Sequence, residues 1–107
     1  MRLWLDDVRP APEGWHHVRT AEEAIAAFAT GEVLAASLDH DLGPVWAGTG
    51  YDVLVWVEKA IGERAWYGPL PRIHVHSANP VGRSKMVAAV KSINGLYEEL
   101  GREEFDL

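Results

Sequence analysis

The apolar positions of this chain fall into short runs separated by polar turns, and the spacing within each run predicts what it builds. RLWL at residues 2–5 is a compact apolar run that stops at Asp6 and Asp7, as a buried strand does. The segment DVRPAPEG follows with two prolines and a glycine, which argues against a helix there. WHHV at 15–18 reads as a second strand. Thr20 and Glu23 form a capping box, after which Ala24, Ile25, Ala27 and Phe28 recur at helical spacing as far as Gly31.

VLAASLD at 33–39 is a continuous apolar run ending in Asp39, and that pattern predicts a strand covered on both faces. The glycine-rich LGPVWAGTG reads as a loop, and the next segment sets Val53, Leu54, Val57 and Ile61 on one helical stripe. YGPLP is a turn, and IHVHS at 73–77 is a fourth strand. A break at Asn79-Pro80 precedes a helix expected from about Arg83 to Ile93, with Met86, Val87, Val90 and Ile93 on one face. Asn94-Gly95 is expected to cap it, leaving 95–107 as a tail with room for one short helix.

Strands alternating with amphipathic helices predict an α/β fold, a mostly parallel sheet of about four strands joined by crossover helices. The stretch from Asp6 to Trp15 is too short for a helical crossover. Either a loop replaces the first helix or the second strand runs antiparallel.

At 107 residues the chain suits one domain, residues 1–107, with one core. Ten Lys and Arg against sixteen Asp and Glu leave a formal charge of −6, which argues against duplex DNA or an anionic membrane as a nonspecific partner. There is no cysteine, so neither disulfides nor a thiolate zinc site can form. Charge arrives too early for a secretory leader and no apolar run reaches membrane-spanning length, so a cytoplasmic location is expected.

In an open parallel sheet, ligands bind beyond the carboxyl ends of the strands. Asp6 and Asp7 follow the first strand, Asp39, His40 and Asp41 the third, and His76, Ser77 and Asn79 the fourth. Clustered carboxylates raise one another's pKa unless a cation compensates, and hard oxygen donors suit Mg2+ or another hard divalent cation. Magnesium keeps several waters and completes its shell with substrate phosphate, so the pattern points to phosphate chemistry. No third imidazole is placed by spacing to join His74 and His76, which disfavours zinc.

The order of these motifs resembles the response-regulator receiver domain over roughly residues 1 to 95: Asp-Asp after the first strand, Asp after the third, Gly-Tyr-Asp opening a helix, and Ser-Ala after the fourth. LDDVR, LDHDLG and HVHSANPVG are closer still to the atypical group called cyclic-phosphate processing receiver domains, which is proposed to act on cyclic phosphate ends in RNA repair or nucleotide metabolism. The resemblance implies a receiver-like, flavodoxin-like fold, magnesium on Asp6 and Asp7, a phosphoacceptor position at Asp39, and a phosphoryl-contacting hydroxyl at Ser77. Two departures stand out. A proline-containing loop replaces the first crossover helix, and the fifth strand with its phosphate-pairing lysine is absent, with Arg83 and Lys85 the nearest substitutes.

Read as an enzyme, Asp6, Asp7, Asp39 and Asp41 supply metal ligands, while His76 or His40 exchanges protons near neutrality. Ser77, Asn79 and Arg83 hold phosphate oxygens, His74 orients a neighbouring group, and Trp46 stacks on a nucleobase of a nucleotide or RNA end. An aspartyl-phosphate on Asp39 and direct attack by water both remain open. Trp4, Trp15 and Trp56 are assigned to the core, and His16 and His17 to structural roles in an edge strand. The competing classes are a stand-alone receiver phosphorylated on Asp39 and a non-catalytic phospholigand- or protein-binding module. An exposed aromatic patch would also serve a homodimer.

Overall fold

Four short strands in the order β2-β1-β3-β4 organise the chain: β1 (Arg2–Leu5), β2 (His16–Val18), β3 (Ala35–Leu38) and β4 (Arg72–Val75). Three helices connect or follow them, α1 (Ala21–Ala29), α2 (Gly50–Gly62) and α3 (Pro80–Phe105), and a 3-10 turn lies at Val45–Ala47. The computed structural model describes residues 1–105. Every strand pair is parallel, which settles the first connection: residues 6–15 form a loop that returns to a parallel β2, with Leu3 beside His16 and Leu5 beside Val18.

The strand order decides where the helices go. Right-handed crossovers running in one direction along a sheet place their helices on one face. The connections β2-α1-β3 and β3-α2-β4 run the same way, and β1 to β2 runs the opposite way. Leu3, Leu5, Ala36, Leu38 and Val75 accordingly join Phe28, Val53, Leu54, Val57, Met86 and Ile93 in a single core between the sheet and the helix layer. Burying each of these larger apolar side chains contributes about 1.5–3 kcal/mol.

The opposite face has no helix, only the 6–15 loop at its β1–β2 side. This arrangement keeps β3 buried on both faces, as its apolar run predicts, with Ala36 and Leu38 in the core and Ser37 buried on the other side against His76. It also moves Trp4 and Trp15 out of the core: both are half-buried on the helix-free side, edge to face with ring centroids 6.2 Å apart. Trp56 does pack against the core.

Local signals set the helix starts. Thr20 caps α1 by accepting from Glu23 N, and Thr49 with Asp52 forms a full capping box on α2. Helix α3 begins earlier than expected, because Asn79 Oδ1 accepts from Gly82 N and Pro80 occupies the first helical position, where its missing N–H costs nothing. It also fails to stop at Asn94-Gly95 and runs on to Phe105. Leu96 and Leu100 pack against the core one and two turns beyond Ile93, offsetting the roughly 1 kcal/mol that Gly95 costs a helix interior. The expected separate tail is therefore part of α3, with residues 106 and 107 outside the described residues.

Candidate active site

The strand order changes direction between β1 and β3, so the carboxyl ends of those two strands flank the sheet's switch point. Ladder hydrogen bonds continue one residue past the strands, from Asp6 N to Val18 O, Asp39 N to Leu5 O and His76 N to Leu38 O. Since Leu5, Leu38 and Val75 are registered, Asp6, Asp39 and His76 form the next row across the sheet. Alternation puts that row on the helix-free side, with Trp4, Ser37 and His74.

Asp6 is 1 % exposed. Its Oδ1 accepts the backbone N–H groups of Val8 and Arg9, both at 2.8 Å, which also fixes the turn leaving β1. Its Oδ2 lies 3.0 Å from His76 Nε2, and its carbonyl accepts from His17 Nε2 at 2.7 Å. Burial acts to raise the Asp6 pKa, but the two backbone donors and His76 outweigh it and hold the carboxyl below its ordinary range.

His76 reaches across β3. Its Nδ1 is 2.7 Å from Ser37 Oγ, and its ring stacks on Trp4 at 4.0 Å with planes 9° apart. Both ring nitrogens are thus engaged, one by a carboxylate and one by a buried hydroxyl. Asp39 carries the opposite perturbation from Asp6: burial first, then the Asp6 charge, raises its pKa against the opposing His40 N–H, His76 and the Ser77 hydroxyl. Two neighbouring carboxylates are in this way made unequal.

Among the described residues, one donor atom each from Asp6, Asp39 and His76 lies within 4.8 Å of the others, forming a group able to hold a metal ion. The 3.0 Å between Asp6 Oδ2 and His76 Nε2 suits two adjacent ligands at about 2.1 Å from an octahedral ion as well as it suits a hydrogen bond. Asp7 and Asp41 stand outside that group. Asp7 is half-buried against the Gly43 turn, where an added Cβ would come 3.1 Å from its Oδ2.

A second cluster adjoins the first. His40 Nδ1 donates to Asp41 Oδ1 at 2.9 Å, and the Asn79 amide donates to the same oxygen at 3.4 Å. His40 is the main reason the Asp41 carboxyl is held low, with Asn79 adding to it against a small burial effect. Two glycines permit the packing. A Cβ on Gly50 would sit 2.0 Å from the Asp39 carbonyl oxygen, and one on Gly82 would sit 2.5 Å from the His40 ring.

Ser77 is buried, and its Oγ accepts from Asn79 N at 3.1 Å. Asn79 spends its side chain on Gly82 and Asp41 and so acts as a brace between α3 and the β3 end. His74 and Arg83 line a shallow groove of about 260 Å³ beside the free edge of β4, with Ile73, Val75, Val87 and Lys91. Lys85 extends over the Tyr51 ring at 4.3 Å. Trp46 is 80 % exposed on the rim loop. Sequence reasoning missed Ser37 and the Trp4 stack. The available signal was alternation, which places Trp4, Ser37, His74 and His76 on one face once all strands are parallel.

No curated protein and no solved structure matches the chain. The model of the family described as "Cyclic-phosphate processing Receiver domain" matches residues 1–92. No helix among the described residues is long and apolar enough to cross a membrane. The Asp-Asp turn after β1, the Asp39 end of β3 and the HVHSANPVG segment that ends β4 and opens α3 all lie within the matched span, and the chain belongs to the cyclic-phosphate processing receiver domain family.

Proposed function

We propose that this domain is a divalent-metal-dependent phosphoesterase that opens a cyclic phosphate at the end of an RNA or nucleotide. The observation that carries the reading is the registered row Asp6–Asp39–His76 at the switch point, which pairs one low-pKa and one raised carboxylate with an imidazole.

These three residues would hold the cation, and magnesium or manganese fits a donor set of two carboxylate oxygens and one nitrogen. When bound, the ion neutralises charge on the phosphoryl oxygens and polarises the phosphorus for attack. Ser37 suits either tautomer of His76, because a hydroxyl both donates and accepts. With Nε2–H given to Asp6, His76 Nδ1 accepts from Ser37; with Nδ1–H given to Ser37, Nε2 is free to ligate.

This leaves His76 as a ligand and moves proton transfer to His40. Its Nδ1 is fixed by Asp41 and its Nε2 has no partner among the described residues, the arrangement by which a carboxylate orients an imidazole for acid–base work. Water attacks phosphorus and gives a proton to His40 Nε2, the bond to one ribose oxygen breaks, and His40 passes that proton to the departing oxygen as the ring opens to a phosphomonoester. Ser77 Oγ, beside Asp39, donates to a phosphoryl oxygen, and Trp46 on the rim offers its ring to the base.

The test is a set of 2′,3′-cyclic nucleotides and RNA ends incubated with magnesium or manganese. The expected result is ring opening that EDTA and Asp39→Ala each abolish. Absence of turnover together with stoichiometric labelling of Asp39 by acetyl phosphate would replace the reading with that of a signalling receiver.

A further inference from the structure

The helix-free face of the sheet is not a neutral surface. Its registered rows read Arg2, Ala35, Arg72, then Trp4, Ser37, His74 with His17 beside Trp4, then Asp6, Asp39, His76. Arg2, Arg72 and His74 are exposed, while Trp4, Trp15 and His17 are half-buried. Neither Arg2 nor Arg72 has an ion-pair partner among the described residues. The chain carries a net charge of −6, yet no carboxylate occupies a registered position on this face outside the Asp6–Asp39 row. Positive charge, imidazole and indole are thus gathered on the side of the sheet that faces solvent, and they lead directly into the metal-binding row.

We infer that this open face is a platform for single-stranded RNA, which lies across the sheet with its phosphates on Arg2 and Arg72, its bases against the His74 and Trp15 rings, and its terminal phosphate at the Asp6–Asp39–His76 row. The occupant follows from complementarity. A polyanion with flat bases matches paired guanidiniums and aromatic rings on an exposed sheet, whereas an apolar partner would leave both arginines buried and unpaired. The geometry sets the reach. Arg2 and Asp6 are four residues apart on one strand, about 13 Å at 3.3 Å per residue, and Arg2 and Arg72 are two strand spacings apart, about 10 Å. That is room for a few nucleotides upstream of the reacting end. It makes an RNA end, rather than a free nucleotide, the preferred ligand of the proposed phosphoesterase centre, and in that respect the inference rests on the reading of that centre.

The experiment is fluorescence anisotropy with a short 5′-labelled single-stranded RNA ending in a 2′,3′-cyclic phosphate, in EDTA, with a 2′,3′-cyclic mononucleotide as competitor. The intact chain is compared with the double variant Arg2→Glu, Arg72→Glu. The expected result is RNA binding about tenfold or more tighter than the mononucleotide, with a salt dependence that flattens by about 1.4 log units per log unit of salt when the two phosphate contacts are lost. The double variant should retain the wild-type melting temperature and the wild-type rate on the mononucleotide. Equal affinity for RNA and mononucleotide, or no loss of affinity in the double variant, overturns the platform. So does sedimentation showing a wild-type dimer that the double variant dissociates, since the face would then be a seam between two copies. RNA binding through the two arginines with no ring opening on adding metal supports the platform and overturns the phosphoesterase reading instead.

Discussion

Asp39→Asn is expected to make the metal-free protein more stable while removing its activity. Burial of Asp39 and the neighbouring Asp6 charge both disfavour its ionised form and raise its pKa. Two unit negative charges within 4.8 Å repel by at least about 3.5 kcal/mol at an effective dielectric of about 20. The His40 N–H, the His76 ring and the Ser77 hydroxyl return part of this, as does the partial solvent exposure of Asp39, leaving a net cost on the order of 1 kcal/mol. Asparagine retains an acceptor for His40 N–H and gains an amide able to donate to Asp6. For a domain of about this size, roughly 1 kcal/mol moves Tm by about 4–8 °C. The sign with pH follows from the raised folded pKa. The cost is fully present above that pKa, declines as pH falls through it, and is gone below the unfolded value, so the advantage of the variant disappears on acidification. Thermal melts in EDTA at neutral pH and near the ordinary carboxylate range provide the assay. A variant no more stable than wild type at neutral pH, or one whose advantage persists in acid, refutes the electrostatic reasoning.

Other substitutions probe the same centre from different sides. Asp6 titrates in the opposite sense: its lowered folded pKa contributes stability that is present above the unfolded value and lost as pH falls through the folded one, so the stability gap between wild type and Asp6→Asn, followed by urea unfolding, should close in acid. Ser37→Ala leaves His76 Nδ1 buried without its partner, which should cost about 1–3 kcal/mol in the same assay and weaken metal binding by about tenfold or more. Gly50→Ala places a Cβ 2.0 Å from the Asp39 carbonyl oxygen, so it should lose activity and show a clear drop in Tm, whereas Gly95→Ala, with nothing within 4 Å, should raise Tm slightly.

Much of this architecture is legible in the sequence because local physics dictates it. The capping box at Thr20 and the apolar stripes of α1 and α2 announce their helices, and the prolines between Asp6 and Trp15 announce a loop. The acids and Ser77 could be assigned to one rim because strand ends in a parallel sheet share a side. What was hidden depends on neighbours distant in the chain. Loss of the first crossover helix uncovers a sheet face, which turns Trp4 from a core residue into the surface on which His76 stacks. The apolar run of β3 contains Ser37, and only the register beside His74 and Trp4 shows that its hydroxyl is reserved for an imidazole. Helix α3 overrides its Asn94-Gly95 stop through Leu96 and Leu100, contacts that no local signal contains. The two histidines differ for a similar reason: sequence offers His76 and His40 alike for proton transfer, and only the structure shows both His76 nitrogens engaged while His40 Nε2 has no partner among the described residues.

The account depends most on Asp6, Asp39 and His76 forming one cation-holding centre, and an electron paramagnetic resonance titration with Mn2+ addresses that directly. A single bound ion per chain is expected, with pulsed spectra showing coupling to an imidazole nitrogen that His76→Gln removes and with binding lost in Asp39→Asn. Failure to bind Mn2+ stoichiometrically, or spectra that are identical for wild type and His76→Gln, would contradict the centre and the chemistry assigned to it.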